Sequence, residues 1–383
     1  MSIQAFDIDG PDRIRFGRGR VADVATVIAP DATVAIVTDS GVRAAGCCVP
    51  VLAALEDRSV TVIEDVQSNP TVENAQSVAN AVGVVDSIVA VGGGSVIDVA
   101  KAAAAAATHD GEIRPLLGRD TLRTRPVPVV ACPTTAGTGS EVSPAAVMTD
   151  PERGHEKRVI ADRLLFPQVA LVDPDLSEDL PPSLTALTGI DAYSHALGSS
   201  ISTTDNPFSQ AVCLEALSLV EAHLRIAVRD GVAAPAARDG MALAALLAMY
   251  GRANGGKAAI HALAHGIQSV IDLPHGMAIA MVMVPILDHA VADAADALAI
   301  IGNRVYGAEG AEMECARAAI TGIEHLIADL DIVDPDMLTD PTADDSIADR
   351  ALSSRRHLEA HPTPIDRTAV LELLASIRDY HGV

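Results

Sequence analysis

SIVAVGGGSVIDVAK, residues 87–101, decides how the chain reads. A β-branched apolar run ends in Gly92, Gly93 and Gly94, and Ser95 then opens an alanine-rich stretch of high helix propensity. Where a strand turns tightly into a helix, the first helical N–H groups stay free, and glycine lets a pyrophosphate approach them closely. The segment predicts a phosphate cradle. It has neither the G-x-G-x-x-G spacing nor a P-loop lysine, so taken alone a ligand-free turn stays open.

Outward from this stretch, TVAIVTD (33–39), SVTVIED (59–65) and VPVVACPTT (127–135) repeat the pattern of buried parallel strands. Segments 42–56, 71–84 and 95–107 carry helical spacing or alanine and are long enough for crossovers. Residues 1–180 are thus predicted to form an α/β dinucleotide-binding domain with a parallel sheet. Beyond DPDLSEDLPPSLTALTG (173–189) strand signals nearly vanish, and helical periodicity runs through 214–228, 236–252 and 277–291. An all-α domain is expected over 181–383. Pro181 and Pro182 mark the hinge, because proline ends one element and suits the first turn of the next.

Composition narrows the partners. The 383 residues carry 51 Asp plus Glu against 27 Lys plus Arg, a net charge of -24 that repels phosphate backbones and anionic lipid, so neither nucleic acid nor membrane is expected. Only Lys101, Lys157 and Lys257 are lysines, and so acidic a chain points to a halophilic setting, although a GC-rich genome would give a similar bias. Five cysteines without paired spacing favour a reducing cytoplasm. The N-terminus lacks a signal-peptide pattern, and the apolar run 277–287 contains Pro285 and is too short for a bilayer.

CPTTAGTGSEVSP (132–144) is a second loop after a strand, rich in glycine and hydroxyl residues suited to a polar ligand. Asp39, at the end of TVAIVTD, can accept hydrogen bonds from an adenosine ribose and repel a 2′-phosphate, which favours NAD over NADP; a plain helix cap is the alternative. In the helical half, GIDAYSHALG sets Asp191 and His195 four apart, and HALAHGIQSVIDLPHG holds His261, His265 and His275. Groups four apart share a helix face, and a carboxylate with imidazoles suits Fe(II), Zn(II) or Mn(II). These residues can form one site only if the helix beginning near Pro181 packs beside the one ending near Gln268.

GGGSVIDVAK, PTTAGTGSE, GIDAYSHA and HALAHGIQSVIDLPHG, in this order over nearly the whole chain, resemble the motifs of the iron-containing, or group III, alcohol dehydrogenases, in the dehydroquinate synthase-like superfamily. The resemblance implies a metal-dependent NAD(P) alcohol dehydrogenase acting between a small alcohol and an aldehyde or ketone, with one divalent metal, Fe(II) favoured, in a homodimer or larger homo-oligomer. It implies that Asp191, His195, His261 and His275 bind the metal and that His265 faces the nicotinamide and relays a proton. Gly93, Gly94 and Ser95 would hold the pyrophosphate, and Asp98, Thr134, Thr135 and Thr138 would line the dinucleotide. Asn69 and Lys157 would reach its ribose parts, and Asp39 the adenosine ribose. Gly198, Gly266, Ile267 and Gln268 depart from the family pattern around the substrate pocket, to which Val142, Met148, Ala248 and Arg252 are further candidates. A polyol or phosphorylated-polyol dehydrogenase and a dehydroquinate synthase-like cyclase are the competing activities, and a metal-free homologue would lack the Asp and His set.

Overall fold

The computed structural model describes residues 5–154, 156–204, 206–338 and 340–382. The chain divides into two compact units, one of residues 8–180 and one of residues from Pro181 onward, with which residues 5–7 also group instead of with the α/β unit as expected. Strands of the first unit are, in chain order, β1 (Arg13–Phe16), β2 (Thr33–Val37), β3 (Ser59–Ile63), β4 (Ser87–Gly92), β5 (Gly118–Arg119), β6 (Val129–Pro133), β7 (Ala145–Asp150), β8 (Glu156–Ala161) and β9 (Val169–Val172). Six of them make an all-parallel sheet in the order β1-β9-β6-β4-β2-β3, and the others a small sheet in the order β5-β8-β7.

Every residue of β4 is buried. A central parallel strand is covered on both faces, which is why its sequence is an unbroken apolar run instead of an alternation. Its helices are α1 (Val24–Val27), α2 (Ser40–Ala44), α3 (Val49–Ala54), α4 (Val72–Val82) and α5 (Gly94–Ala107). Ile88 and Ala90 pack into one core with Val78 of α4 and Ile97 of α5, whereas Val89 and Val91 pack into the other with Val24 and Val51. The single helix expected over 42–56 is two short ones. Gly46 adopts a positive φ of 82° and Pro50 opens α3, so the backbone cannot run through.

The order of the sheet sets where a ligand can lie. From β2 the chain goes on to β3 on one side, while from β4 it goes on to β6 on the other. Ligands of open α/β sheets sit beyond the carboxyl ends of strands at such a reversal. Here those ends lead to Asp39 and to Gly93.

The second unit is helical, with no strand among its described residues: α6 (Pro182–Ser200), α7 (Pro207–Asp230), α8 (Pro235–Asn254), α9 (Ile260–Gln268), α10 (His275–Ala290), α11 (Ala295–Tyr306), α12 (Glu312–Leu330), α13 (Asp344–Ser353), α14 (Arg355–Glu359) and α15 (Arg367–His381). Pro182 stands in the first turn of α6, where its missing N–H costs no helical bond. α10 packs along both α6 and α9 and runs through the buried Pro285.

Candidate functional site

In the α/β unit the chemistry lies in backbone. α5 begins at Gly94 directly after β4, with Gly93 as an extended N-cap that has no side chain to offer. Its first N–H groups are therefore not taken by a capping side chain. β6 runs beside β4 in register, Gly92 opposite Pro133, which carries the loop of Thr134, Thr135 and Thr138 up against the glycines. A Cβ on Gly94 would lie 2.7 Å from the Thr138 hydroxyl oxygen, so the two loops approach as closely as glycine allows.

Several side chains assigned to the dinucleotide already have partners. Asp39 accepts from the Val42 N–H at 2.9 Å and caps α2, one carboxylate oxygen serving the cap. β2 itself stops at Val37. Asp98 accepts from the Ser140 hydroxyl, from the Val147 N–H at 2.9 Å and from Lys101 at 3.2 Å. That ties α5 to the loop after β6 and to β7, a fastening role within the unit. Ser95 donates to the Ser68 carbonyl at 2.7 Å, and Lys157, on β8, donates to the Asn69 side chain. Val142 and Met148 are fully buried in this unit, and Ala248 in the other.

In the helical unit the chemistry lies in side chains. α6 carries Asp191 and His195 on one face, α9 presents His261 and His265, and α10 begins at His275. Gly276 makes the last placement possible: a Cβ there would sit 2.2 Å from the Leu187 carbonyl oxygen of α6. The Nε2 atoms of His195, His261 and His275 lie 3.4, 3.4 and 3.5 Å from Asp191 Oδ1. Ligand atoms of Asp191, His261 and His275 all lie within 4.8 Å of one another, and His195 joins through the same carboxylate oxygen and a stacked contact with His261, centroids 4.8 Å apart. The required meeting of α6 and α9 is thus made by these two rings, with α10 packed on both helices.

A divalent cation fits these residues. Asp191 Oδ1 and His261 Nε2 are buried without a hydrogen-bond partner, a costly state unless something binds them both. Their spacing matches the edge of about 3.4 Å expected for tetrahedral ligands with bonds of about 2.1 Å. Burial pushes His195 down to about 3 and His261 well below the usual imidazole range, so both are neutral donors. Burial would raise Asp191, but the surrounding imidazoles of His195, His261 and His275 hold its carboxyl well below the usual carboxylate range. His275 Nδ1 lies 2.8 Å from Gln268 Oε1; donating there leaves Nε2 to face Asp191. His265 stacks on His275 with centroids 5.3 Å apart and meets His261 edge-on at 6.0 Å.

His357, on α14, joins this cluster although no motif histidine lies near it in sequence; its local signal is His361, four residues on. Arg252, a pocket candidate from sequence, is its hydrogen-bond partner.

The profile described as "Iron-containing alcohol dehydrogenase" matches residues 11–174, and that of the "Fe-containing alcohol dehydrogenase family, C-terminal" matches residues 185–378. The chain is 36% identical over 338 residues to alcohol dehydrogenase 4 of Schizosaccharomyces pombe, covering 87% of this chain and 79% of that one. Among solved structures it resembles an alcohol dehydrogenase from Oenococcus oeni (TM-score 0.92, 29% identity, 97% of this chain and 100% of that one). A 1,3-propanediol oxidoreductase is similar too (TM-score 0.91, 30% identity, 98% and 100%). The chain belongs to the iron-containing alcohol dehydrogenase family. It is accordingly an oxidoreductase of the metal-dependent alcohol dehydrogenase class.

Proposed function

We propose that the protein transfers a hydride between a small alcohol and NAD, or in reverse to an aldehyde or ketone, with Asp191, His195, His261 and His275 holding one divalent metal, Fe(II) ahead of Zn(II) or Mn(II). The observation that carries this reading is the convergence of three Nε2 atoms on Asp191 Oδ1 at 3.4 to 3.5 Å, in a buried setting with orphaned donor atoms. A divalent cation supplies Lewis-acid chemistry at an alcohol oxygen, and a nicotinamide supplies the hydride acceptor. Asp191 contributes the one negative charge, and Gln268 keeps the His275 ring turned so that Nε2 faces inward. His265 takes the hydroxyl proton at an imidazole nitrogen and passes it to water, a task suited to a ring with two nitrogens that can each hold or release a proton.

In the α/β unit, Gly93, Gly94 and Ser95 hold a pyrophosphate at the start of α5, with Thr134, Thr135 and Thr138 beside it. Asn69 and Lys157 reach the ribose parts, and Asp98 holds the two loops in place. The carboxylate oxygen of Asp39 that is not used for capping reads the adenosine ribose and disfavours NADP.

Chelator-stripped protein reloaded separately with Fe(II), Zn(II) and Mn(II), and assayed on alcohols and aldehydes with NAD and NADP, tests the whole reading. Recovery with metal and a preference for NAD are expected, and activity indifferent to chelation overturns it. The reading extends to a homo-oligomer in a reducing, salt-rich cytoplasm, supported by five free cysteines, by the -24 charge and by the edge strand β1. Among the described residues no helix is long and apolar enough to cross a membrane. At molar KCl the Debye length falls to about 3 Å, so the melting temperature should rise with salt; a flat profile removes the halophilic part.

A further inference from the structure

Of the three lysines, Lys101 is the fully buried one, 0% exposed, and the site described above does not use it. It stands on α5, three residues after Asp98 and seven after Gly94. Its Nζ donates to the carbonyl oxygens of Ser140 at 3.0 Å, of Ser143 at 3.3 Å and of Ala145. An ammonium has three donors and no acceptor, so its hydrogen-bonding capacity goes to the chain between β6 and the first residue of β7. Asp98 grips the same stretch with the opposite chemistry, accepting from the Ser140 hydroxyl and from the Val147 N–H at 2.9 Å. Spaced three apart, the two side chains share one face of α5 and pair at 3.2 Å.

A cation without contact to water is costly, and here burial lowers the ammonium from its ordinary value while the charges of Asp98 and Glu141 oppose that. An apolar side chain of similar length would fill the space without this cost, so packing alone does not account for a lysine. Its hydrogen bonds bear on the placement of one loop. That loop carries Thr135 and Thr138, and a Cβ on Gly93 or on Gly94 would lie 3.3 Å from Thr135 Cγ2 or 2.7 Å from the Thr138 hydroxyl oxygen. These two approaches set how wide the cradle is.

We propose that Lys101 is a positioning residue for the cofactor: its ammonium holds the loop between β6 and β7 closed on the start of α5 before any dinucleotide arrives, so that NAD meets a cradle of preset width. This rests on the dinucleotide reading. Being fully buried, Lys101 acts through the loop and not by touching the cofactor.

Fluorescence titration of NADH into the metal-loaded enzyme tests it. Lys101→Met should weaken NADH binding by about 10- to 100-fold, because the loop must then be ordered at the moment of binding. Bound metal, KM for n-butanol and kcat at saturating NAD should each stay within about threefold, the pattern of lost uniform binding. Unchanged NADH affinity overturns the proposal, and so does a loss of metal or of kcat as large as the loss of affinity, which would mark general loosening of the fold. Amide hydrogen exchange on the unmodified protein needs no variant to fold. Without cofactor, the N–H groups of Val142 and Val147, bonded to the Gly139 carbonyl and to Asp98, should already exchange slowly, and NADH should slow them by less than about threefold. Protection that appears only with NADH would show that the cofactor organises the loop, and overturns the proposal. If the parent binds neither NADH nor NADPH, the dinucleotide reading itself fails and takes this inference with it; normal binding by Lys101→Met sinks the inference alone.

Discussion

The two units of this chain place chemistry on opposite parts of the polypeptide. In the α/β unit the candidate ligand surface is backbone at the ends of β4 and β6, and the polar side chains around it are largely occupied, Asp98 by Ser140 and Val147, Ser95 by Ser68, Asp39 by its own helix. In the helical unit the side chains themselves converge, and three of their atoms, Asp191 Oδ1, His195 Nδ1 and His261 Nε2, are left buried without hydrogen-bond partners. A backbone site is formed as the strand and helix form, and it is damaged by bulk. A side-chain site exists only when distant helices pack, and it is damaged by removing a donor.

That contrast can be broken most sharply at His261 and His265. His261→Ala should lose most of its metal and nearly all turnover, because deleting one imidazole leaves the cation poorly held. His265→Ala should keep its metal and lose about 10² to 10⁴ in kcat. Elemental analysis beside kcat separates the two, and metal retained in the first or lost in the second reverses the division of roles. Gly94→Ala tests the other unit: its Cβ would press on Thr138, 2.7 Å away, and should weaken NAD binding by about 10-fold while leaving bound metal unchanged. An unaltered NAD affinity would show that the close approach of the loops is not used.

Glu141, at the end of the PTTAGTGSE loop, sharpens the comparison through pH. It is only 2% exposed, and burial raises its carboxyl to about 7 from 4.5. The folded chain then keeps a proton that the unfolded chain gives up, so its stability contribution is present below about pH 4.5 and falls as pH rises to about 7. Glu141→Gln should flatten this slope by on the order of 2 to 3 kcal/mol between those limits, as read from urea unfolding at several pH values. An identical slope in parent and variant would place the proton elsewhere. The smallest effect is expected from Asp39→Gly, which should improve NADP use relative to NAD by about 10-fold and cost a few tenths of a kcal/mol as a lost cap. Equal kcat/KM for the two cofactors in the parent would remove the basis for that expectation.

The fold was legible where local patterns and global burial agree. A continuous apolar run such as 87–92 belongs only to a strand covered on both faces, and the alanine run that follows it only to a helix. The edge strand β1, the small sheet of β5, β7 and β8, and the buried β9 were not read from the sequence: β1 and β5 are short and bury little, and β9 has only four residues, too few for a pattern of its own. The break in 42–56 was written in Gly46 and Pro50, yet outweighed by the helical spacing around them.

By itself the sequence determined which groups are available and which neighbours share a helix face: Asp191 with His195, and His261 with His265, follow from a spacing of four. The family, too, could be read from four local motifs. Only the tertiary structure decided that three imidazoles from α6, α9 and α10 meet at one carboxylate oxygen, that Asp98 is turned inward to fasten loops, and that His357 and Arg252 stand against the cluster. The physical reason is one of range. Propensity and periodicity act over a few residues, whereas burial of a charge or an orphaned donor depends on every helix packed around it.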